Sequence, residues 1–271
     1  MNRGCLCIVY VSEALNLQTI GQLTSAAGPA LLHSFPDPTY NRTGFYLAGP
    51  NIVDTAAKFC DLAFSLVDFQ AHTGTHPCLG SVDNVCFSPL GEEPMDLVVE
   101  AAQGLGRRLA QAGTPVYLYG DASTRALKDL RRQLGYFEGG KEGLSERVAE
   151  VPADFPAQGG YWATRGLSCV GAVPLILNFN MRFRPCDSRA LVLQVTKHVR
   201  SHDVEALTLP HEGGAFEVAC NLRQPVTGTS PELLLQRAGE KAAELGVQVE
   251  SAYCTGPSEQ ELLDKLRQQL E

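Results

Sequence analysis

The chain has 271 residues, 44% of them hydrophobic and 19% charged, which is the balance of a packed globular protein and too apolar for a disordered one. A formal net charge of −8 argues against general binding to nucleic acid or anionic membrane, and it restricts an anionic small ligand to a local positive patch. The N-terminal apolar run is only of strand length, too short for a signal peptide or a membrane span, so a cytoplasmic protein with no membrane partner is expected.

Taken in chain order, Cys5–Val11 (CLCIVYV) reads as a strand, and residues 16–27 read as a short helix ended by Gly28 and Pro29. The segments ALLHSF and TGFYLAG follow as extended stretches joined by the turn-rich PDPTYNR. Residues 52–69 carry Ile52, Ala56, Phe59, Ala63, Leu66 and Val67 at helical spacing, and SVDNVCF is a strand. This is the β-α-β-β-α-β order of a ferredoxin-like unit. A helix over residues 94–112, a strand over 115–120 and a basic helical segment, ALKDLRRQLGYF, extend it. The Gly- and Pro-rich stretch EGGKEGLSERVAEVPADFPAQGG then reads as a separator.

The second half repeats the order: VPLILNFN, a helix over residues 187–201, VEALTL, AFEVACNL, a helix over 230–246, VQVESAY, and a closing helix in SEQELLDKLRQQL. The expected fold class is therefore α/β (α+β), with two tandem ferredoxin-like β-α-β-β-α-β subdomains over residues 1–175 and 176–271.

Chemistry has few candidate carriers. Nine scattered cysteines include no CxxC pair, so neither a zinc ribbon nor a redox motif is signalled, and most sit in apolar runs as small core residues. The loop FQAHTGTHPCLG holds His72 and His76 four residues apart, but Gly74 and Pro77 argue against a helix, so the spacing loses its force as a metal site. Composition alone leaves these histidines as polar turn residues or as catalytic groups on a scaffolded loop. Arg107 with Arg108, Arg131 with Arg132, Arg165, and Arg182 with Arg184 either form solvated faces or gather into a groove for a multiply anionic ligand.

Several segments together resemble the formiminotransferase domain of formimidoyltransferase-cyclodeaminases: VSEA, the NRT of Asn41, Arg42 and Thr43, HPCLGSVDNVCF, TPVYLYG and GAVPLILNFN. AFEVACNL and ELLLQRAGEKAAELGV are similar to that family's C-terminal subdomain, and LRRQLGYF to its shorter relatives named for the N-terminal subdomain. The resemblance implies two α/β subdomains that bind a reduced folate between them, in a tunnel suited to a polyglutamate tail. It implies transfer of a formimino group from formiminoglutamate to N5 of tetrahydrofolate, the co-substrate, without a metal and as a homodimer. The catalytic histidine of the family, the one before Pro, falls on His76. The folate-contacting, glycine-rich segment falls on AQGGYWATRG, which brings in Gly159, Gly160, Tyr161, Trp162, Arg165 and Gly166 alongside Asn41, Arg42, Thr43 and Asp83. Tyr161 and Trp162 are suited to stacking on a pterin and Arg165 to meeting a carboxylate.

Three departures from the family pattern cluster near this site. Cys78 stands where an arginine is usual, His33 and Phe35 stand where acids are usual, and VYVSEA replaces PNFSEG, so that only Ser12 and Glu13 carry over. Asp37 is the acid nearest in sequence to the missing ones. The alternative these changes raise is a non-catalytic folate-binding or interaction protein that keeps the fold.

Overall fold

The computed structural model describes residues 4–138, 141–159, 163–185, 187–223 and 227–270. Its chain forms two compact units, one of residues up to Val173 together with the segment from Glu259 onward, the other Pro174–Ser258.

In the first unit the elements are β1 (Cys5–Val11), α1 (Leu17–Ala27), β2 (Leu31–Asp37), β3 (Arg42–Ala48), α2 (Ile52–Leu66), β4 (Val82–Pro89), α3 (Met95–Gln111), β5 (Val116–Gly120), α4 (Leu127–Gln133), α5 (Leu144–Glu150) and β6 (Ser168–Ala172). The sheet runs β2-β3-β1-β4-β6-β5. Its first four strands pair antiparallel in the ferredoxin-like order, and β6 and β5 extend it in parallel. Period-two alternation in β1 sends Cys5, Cys7, Val9 and Val11 into one core with Phe45, Phe59, Leu105 and Leu109. Cys5 and Cys7 are thus core residues, as their one-face spacing implies. Phe45 and Phe59 pack at 4.9 Å between ring centroids, and each such buried side chain stabilises the fold by about 1.5–3 kcal/mol.

A second apolar cluster lies at the β5–β6 end, where Leu130 of α4, its C-cap Leu134 and Leu144 of α5 pack against Tyr117, Tyr119 and Cys169, with Tyr136 following α4. The C-terminal helix α8 (Glu259–Leu270) joins this unit through Lys265 Nζ on the Leu32 carbonyl at 3.0 Å and Glu259 on the Gly91 amide at 2.9 Å.

Two elements of this unit escape the sequence pattern. Strand β6 is only five residues, three of them small (Ser168, Gly171 and Ala172), and Gly171 is required because the Tyr119 ring occupies the space a Cβ would fill. Helix α5 sits inside the stretch that reads as a separator, because its flanking glycines dominate the local signal. Gly143 enters it at φ 65°, a left-handed conformation. Helix α2 ends at Leu66 instead of Phe69, with Val67 already extended.

The second unit contains β7 (Ile176–Phe183), α6 (Arg189–Val199), β8 (Val204–Pro210), β9 (Phe216–Arg223), α7 (Pro231–Leu245) and β10 (Val249–Cys254), with sheet order β10-β7-β9-β8, all antiparallel. The ferredoxin-like order therefore recurs. Helix α7 opens on Ser230, whose hydroxyl accepts from the Leu233 amide, and closes on Gly246 at φ 71°. One sheet face packs Phe179, Met181, Phe183 and Val218 against Val192, Val195, Leu234 and Ala238 of α6 and α7. Asn180, Tyr253 and the buried carboxylate of Glu217 form a separate hydrogen-bonded set across β7, β9 and β10.

Candidate active site

The histidine loop, residues 67–81, is pinned from two sides. On one side lies the β2–β3 hairpin tip. Asn41 sits there at φ 48°, a left-handed conformation Asn tolerates, and accepts the Ala14 amide at 2.8 Å while donating to the Thr73 carbonyl at 2.8 Å. Thr75 Oγ1 donates to the Thr39 carbonyl at 3.1 Å, and any Cβ at residue 74 would strike the Tyr40 carbonyl, so Gly74 is what lets the two loops touch. Thr43 Oγ1 donates to the Glu13 carbonyl at 2.6 Å and ties the hairpin to the segment after β1.

On the other side, residues 164–167 zip onto residues 79–81. Leu167 N donates to the Leu79 carbonyl at 2.9 Å and Ser81 N to the Arg165 carbonyl at 2.8 Å. Gly80 and Gly166 face each other in a bridge so close that a Cβ on either would meet backbone. Gly166 is thus brought to the loop by backbone contact. The Arg165 side chain runs elsewhere, its guanidinium on the Ala112 carbonyl and over the Phe64 ring at 5.2 Å. Gly159 is exposed at φ 83°. Gly160, Tyr161 and Trp162 lie outside the described residues.

His76 stands partly buried between two aromatic rings, Tyr40 at 5.3 Å and Tyr136 at 6.2 Å, both edge-on. Its Nδ1 lies 2.7 Å from the Pro77 carbonyl oxygen, which can only accept, so Nδ1 carries the proton and the lone pair resides on Nε2. The Tyr136 hydroxyl is 3.4 Å from the same Nδ1. Desolvation first, and then the positive charge of Arg42, holds the imidazole down at about 3, so it is neutral throughout the physiological range. His72, four residues earlier, is also held low, by burial and by Lys141, and it faces Asn41 Nδ2 at 3.4 Å. It thus joins the histidine loop to the β2–β3 hairpin tip.

Asp83 is the electrostatic centre of the cluster. The β1–β4 register passes from Tyr10 opposite Asn84 to Val11 opposite Val82, which leaves Asp83 as the extra residue of a β-bulge. Bulges re-aim a side chain, and here the carboxylate meets Arg42 Nη1 at 2.6 Å, Arg131 Nη2 at 3.5 Å and the Leu79 amide at 2.7 Å. Arg42, Arg131 and the Leu79 amide outweigh burial and hold this carboxyl below its usual range, so it is ionised. Arg42 also stacks over Tyr10 at 4.7 Å, and Arg131 over Tyr136 at 4.3 Å. Arg131, next to Arg132, is one of the arginines that the sequence offers for an anion-binding groove, whereas Tyr10, Tyr40 and Tyr136 carry no site signal of their own.

The departures are visible as well. Cys78 is buried, its thiol pushed up to about 11 mainly by desolvation, and it offers no positive charge in place of an arginine. His33 packs edge-on against Tyr46 at 5.3 Å, and Asp37 caps the hairpin through the Tyr40 amide at 3.0 Å. Among the described residues, no group of three or more His, Cys, Asp or Glu side chains is arranged to hold a metal ion, and no helix is long and apolar enough to cross a membrane.

A chain of two ferredoxin-like units carrying a tautomerically fixed histidine on a braced loop belongs to the class of tandem α+β proteins. Residues 4–173 match the family model described as formiminotransferase domain, N-terminal subdomain, and the chain belongs to that family. It is 29% identical to a formiminotransferase cyclodeaminase-like protein of Arabidopsis thaliana, over 97% of this chain and 95% of that protein. It is 33% identical to the formimidoyltransferase-cyclodeaminase of Sus scrofa, over 65% of this chain and 34% of that protein. With the glutamate formimidoyltransferase of Thermoplasma acidophilum it shares 29% identity, over 65% of this chain and 60% of that protein. The chain thus spans nearly the whole plant relative but only about a third of the pig protein.

Proposed function

We propose that this chain is a folate-dependent transferase that moves a formimino group from formiminoglutamate to N5 of tetrahydrofolate and releases glutamate. The observation that carries the reading is His76: its Nδ1 proton is committed to the Pro77 carbonyl, which leaves the Nε2 lone pair as the proton acceptor. In the reaction the N5 lone pair attacks the formimino carbon and a C–N bond forms. His76 Nε2 takes the N5 proton, then returns it to the departing glutamate nitrogen as the old C–N bond breaks. One group thus serves as base and then acid, and no net proton is consumed.

Asn41, Arg42, Thr43, Asp83 and the glycine-rich segment with Gly159, Gly160, Tyr161, Trp162 and Gly166 are in this reading the folate-binding residues, as the family resemblance implies, whereas the Arg165 side chain is turned to the Ala112 carbonyl and the Phe64 ring. The reading includes a polyglutamylated folate, a role in histidine catabolism, a cytoplasmic location, a homodimer and a subdomain division near residue 175. Replacing His76 with Ala is expected to cut turnover by about 10²–10⁴-fold while folate affinity stays within a few-fold, because general acid–base catalysis supplies that much. Wild-type turnover in the variant would end the assignment.

A further inference from the structure

The Arg42–Asp83–Arg131 cluster does not balance. Arg42 and Arg131 bring two positive charges, Asp83 brings one negative charge, and the neighbouring His76, Tyr136 and Tyr10 are neutral near pH 7. The two guanidiniums also compete for one atom. Arg42 holds Asp83 Oδ2 at 2.6 Å and Arg131 reaches the same oxygen only at 3.5 Å, while Oδ1 is taken by the Leu79 amide.

Among the described residues, no carboxylate besides Asp83 forms an ion pair with Arg42 or Arg131. Asp37, opposite Arg42 across the β2–β3 hairpin, is spent on the Tyr40 amide, and Glu13 Oε1 accepts from the Leu15 and Asn16 amides. Neither makes an ion pair with Arg42 or Arg131. Arg131 Nε is buried with no hydrogen-bond partner among the described residues. A buried guanidinium donor left unpaired is costly unless a ligand completes it. The adjacent arginine behaves differently: Arg132 is exposed and pairs with Asp129 at 3.0 Å.

We propose that Arg131 is a carboxylate-docking residue that seats the amino-acid partner of the reaction beside His76. The naming of that partner rests on the formimino-transfer reading; the unbalanced charge and the unpartnered Nε do not. The guanidinium carbon lies over the Tyr136 ring at 4.3 Å from its centroid, and the Tyr136 hydroxyl is 3.4 Å from His76 Nδ1, so the docking group and the proton-transfer group share one aromatic wall. A planar fork held against a ring is preorganised for a carboxylate. In a chain of net charge −8, this local surplus also sets where an anion settles.

The test is calorimetric titration of L-glutamate into the 271-residue chain and into its Arg131→Gln, Arg131→Lys and Arg132→Gln variants, with folding of each checked by circular dichroism. Arg131→Gln should weaken glutamate about tenfold or more, Arg131→Lys should fall between, and Arg132→Gln should stay within about twofold. Equal affinity in wild type and Arg131→Gln overturns the proposal, as does an equal loss in Arg132→Gln, which would mark a general charge effect. Binding of inorganic phosphate but not of glutamate overturns the carboxylate assignment. Arg131-dependent glutamate binding in a chain that shows no formimino transfer supports this site while refuting the transferase reading.

Discussion

At Asp83, a single carboxylate oxygen faces two guanidiniums whose side chains are 11% and 16% exposed, so its charge holds together groups that otherwise repel. Asp83→Asn is expected to destabilise the chain by about 3–5 kcal/mol, because breaking a buried pair strands the partner charge. A denaturant midpoint shifted by less than about 1 kcal/mol equivalent would contradict this. The histidine gives a pH dependence with a definite sign. The folded state holds His76 down at about 3, while the unfolded chain takes up its proton near 6.5, so between those values the unfolded state binds more protons. Stability contributed by the neutral imidazole is present above about 6.5 and is lost as pH falls toward 3. Asp83, whose carboxyl is held low in the fold, loses its contribution on the acid side of the ordinary carboxylate range. A His76→Gln variant should therefore show a flatter acid limb than wild type in Tm against pH. Parallel limbs would refute the depressed titration. The loop that carries His76 was legible in the sequence because Gly74 and Pro77 mark it, while the histidine's role there came only from the family resemblance. Asp83's role was not, because a bulge is a property of two strands' register and not of either strand.

The elements divide in the same way. Strands with strict alternation, such as CLCIVYV, and helices with clean caps, such as the one opened by Ser230 and closed by Gly246, can be read from local pattern. Strand β6 and helix α5 depend on non-local facts: β6 is stabilised by parallel partners far off in sequence, and Gly171 is explained only by Tyr119 across the sheet. Two glycine substitutions separate these cases. Gly239 lies in the interior of α7 with open space at its Cβ position, so Gly239→Ala should stabilise by up to about 1 kcal/mol. Gly171→Ala drives a methyl into the Tyr119 ring and should cost about 1–3 kcal/mol. Thermal midpoints moving in the same direction for both would contradict this packing. The site inherits this division: the hairpin tip and the histidine loop are local, whereas Tyr136 and Arg131 arrive from α4 and its exit by tertiary packing alone.

For the whole molecule, the repeated β-α-β-β-α-β order was legible because each half carries its own periodicity, and both sheets adopt the ferredoxin-like order. The family was legible through five short segments in register, and residues 4–173 match its N-terminal subdomain. What the site does with these parts is a property of the intact chain. The most direct measurement incubates the purified protein with tetrahydrofolate and formiminoglutamate, acidifies the mixture, and reads the methenyl-folate absorbance, with His76→Ala alongside. Absorbance that grows with the wild type and is absent with the variant is the predicted result. No absorbance from either, with tetrahydrofolate still bound by both, would contradict the transferase account and leave a folate-binding protein that keeps the fold without the reaction.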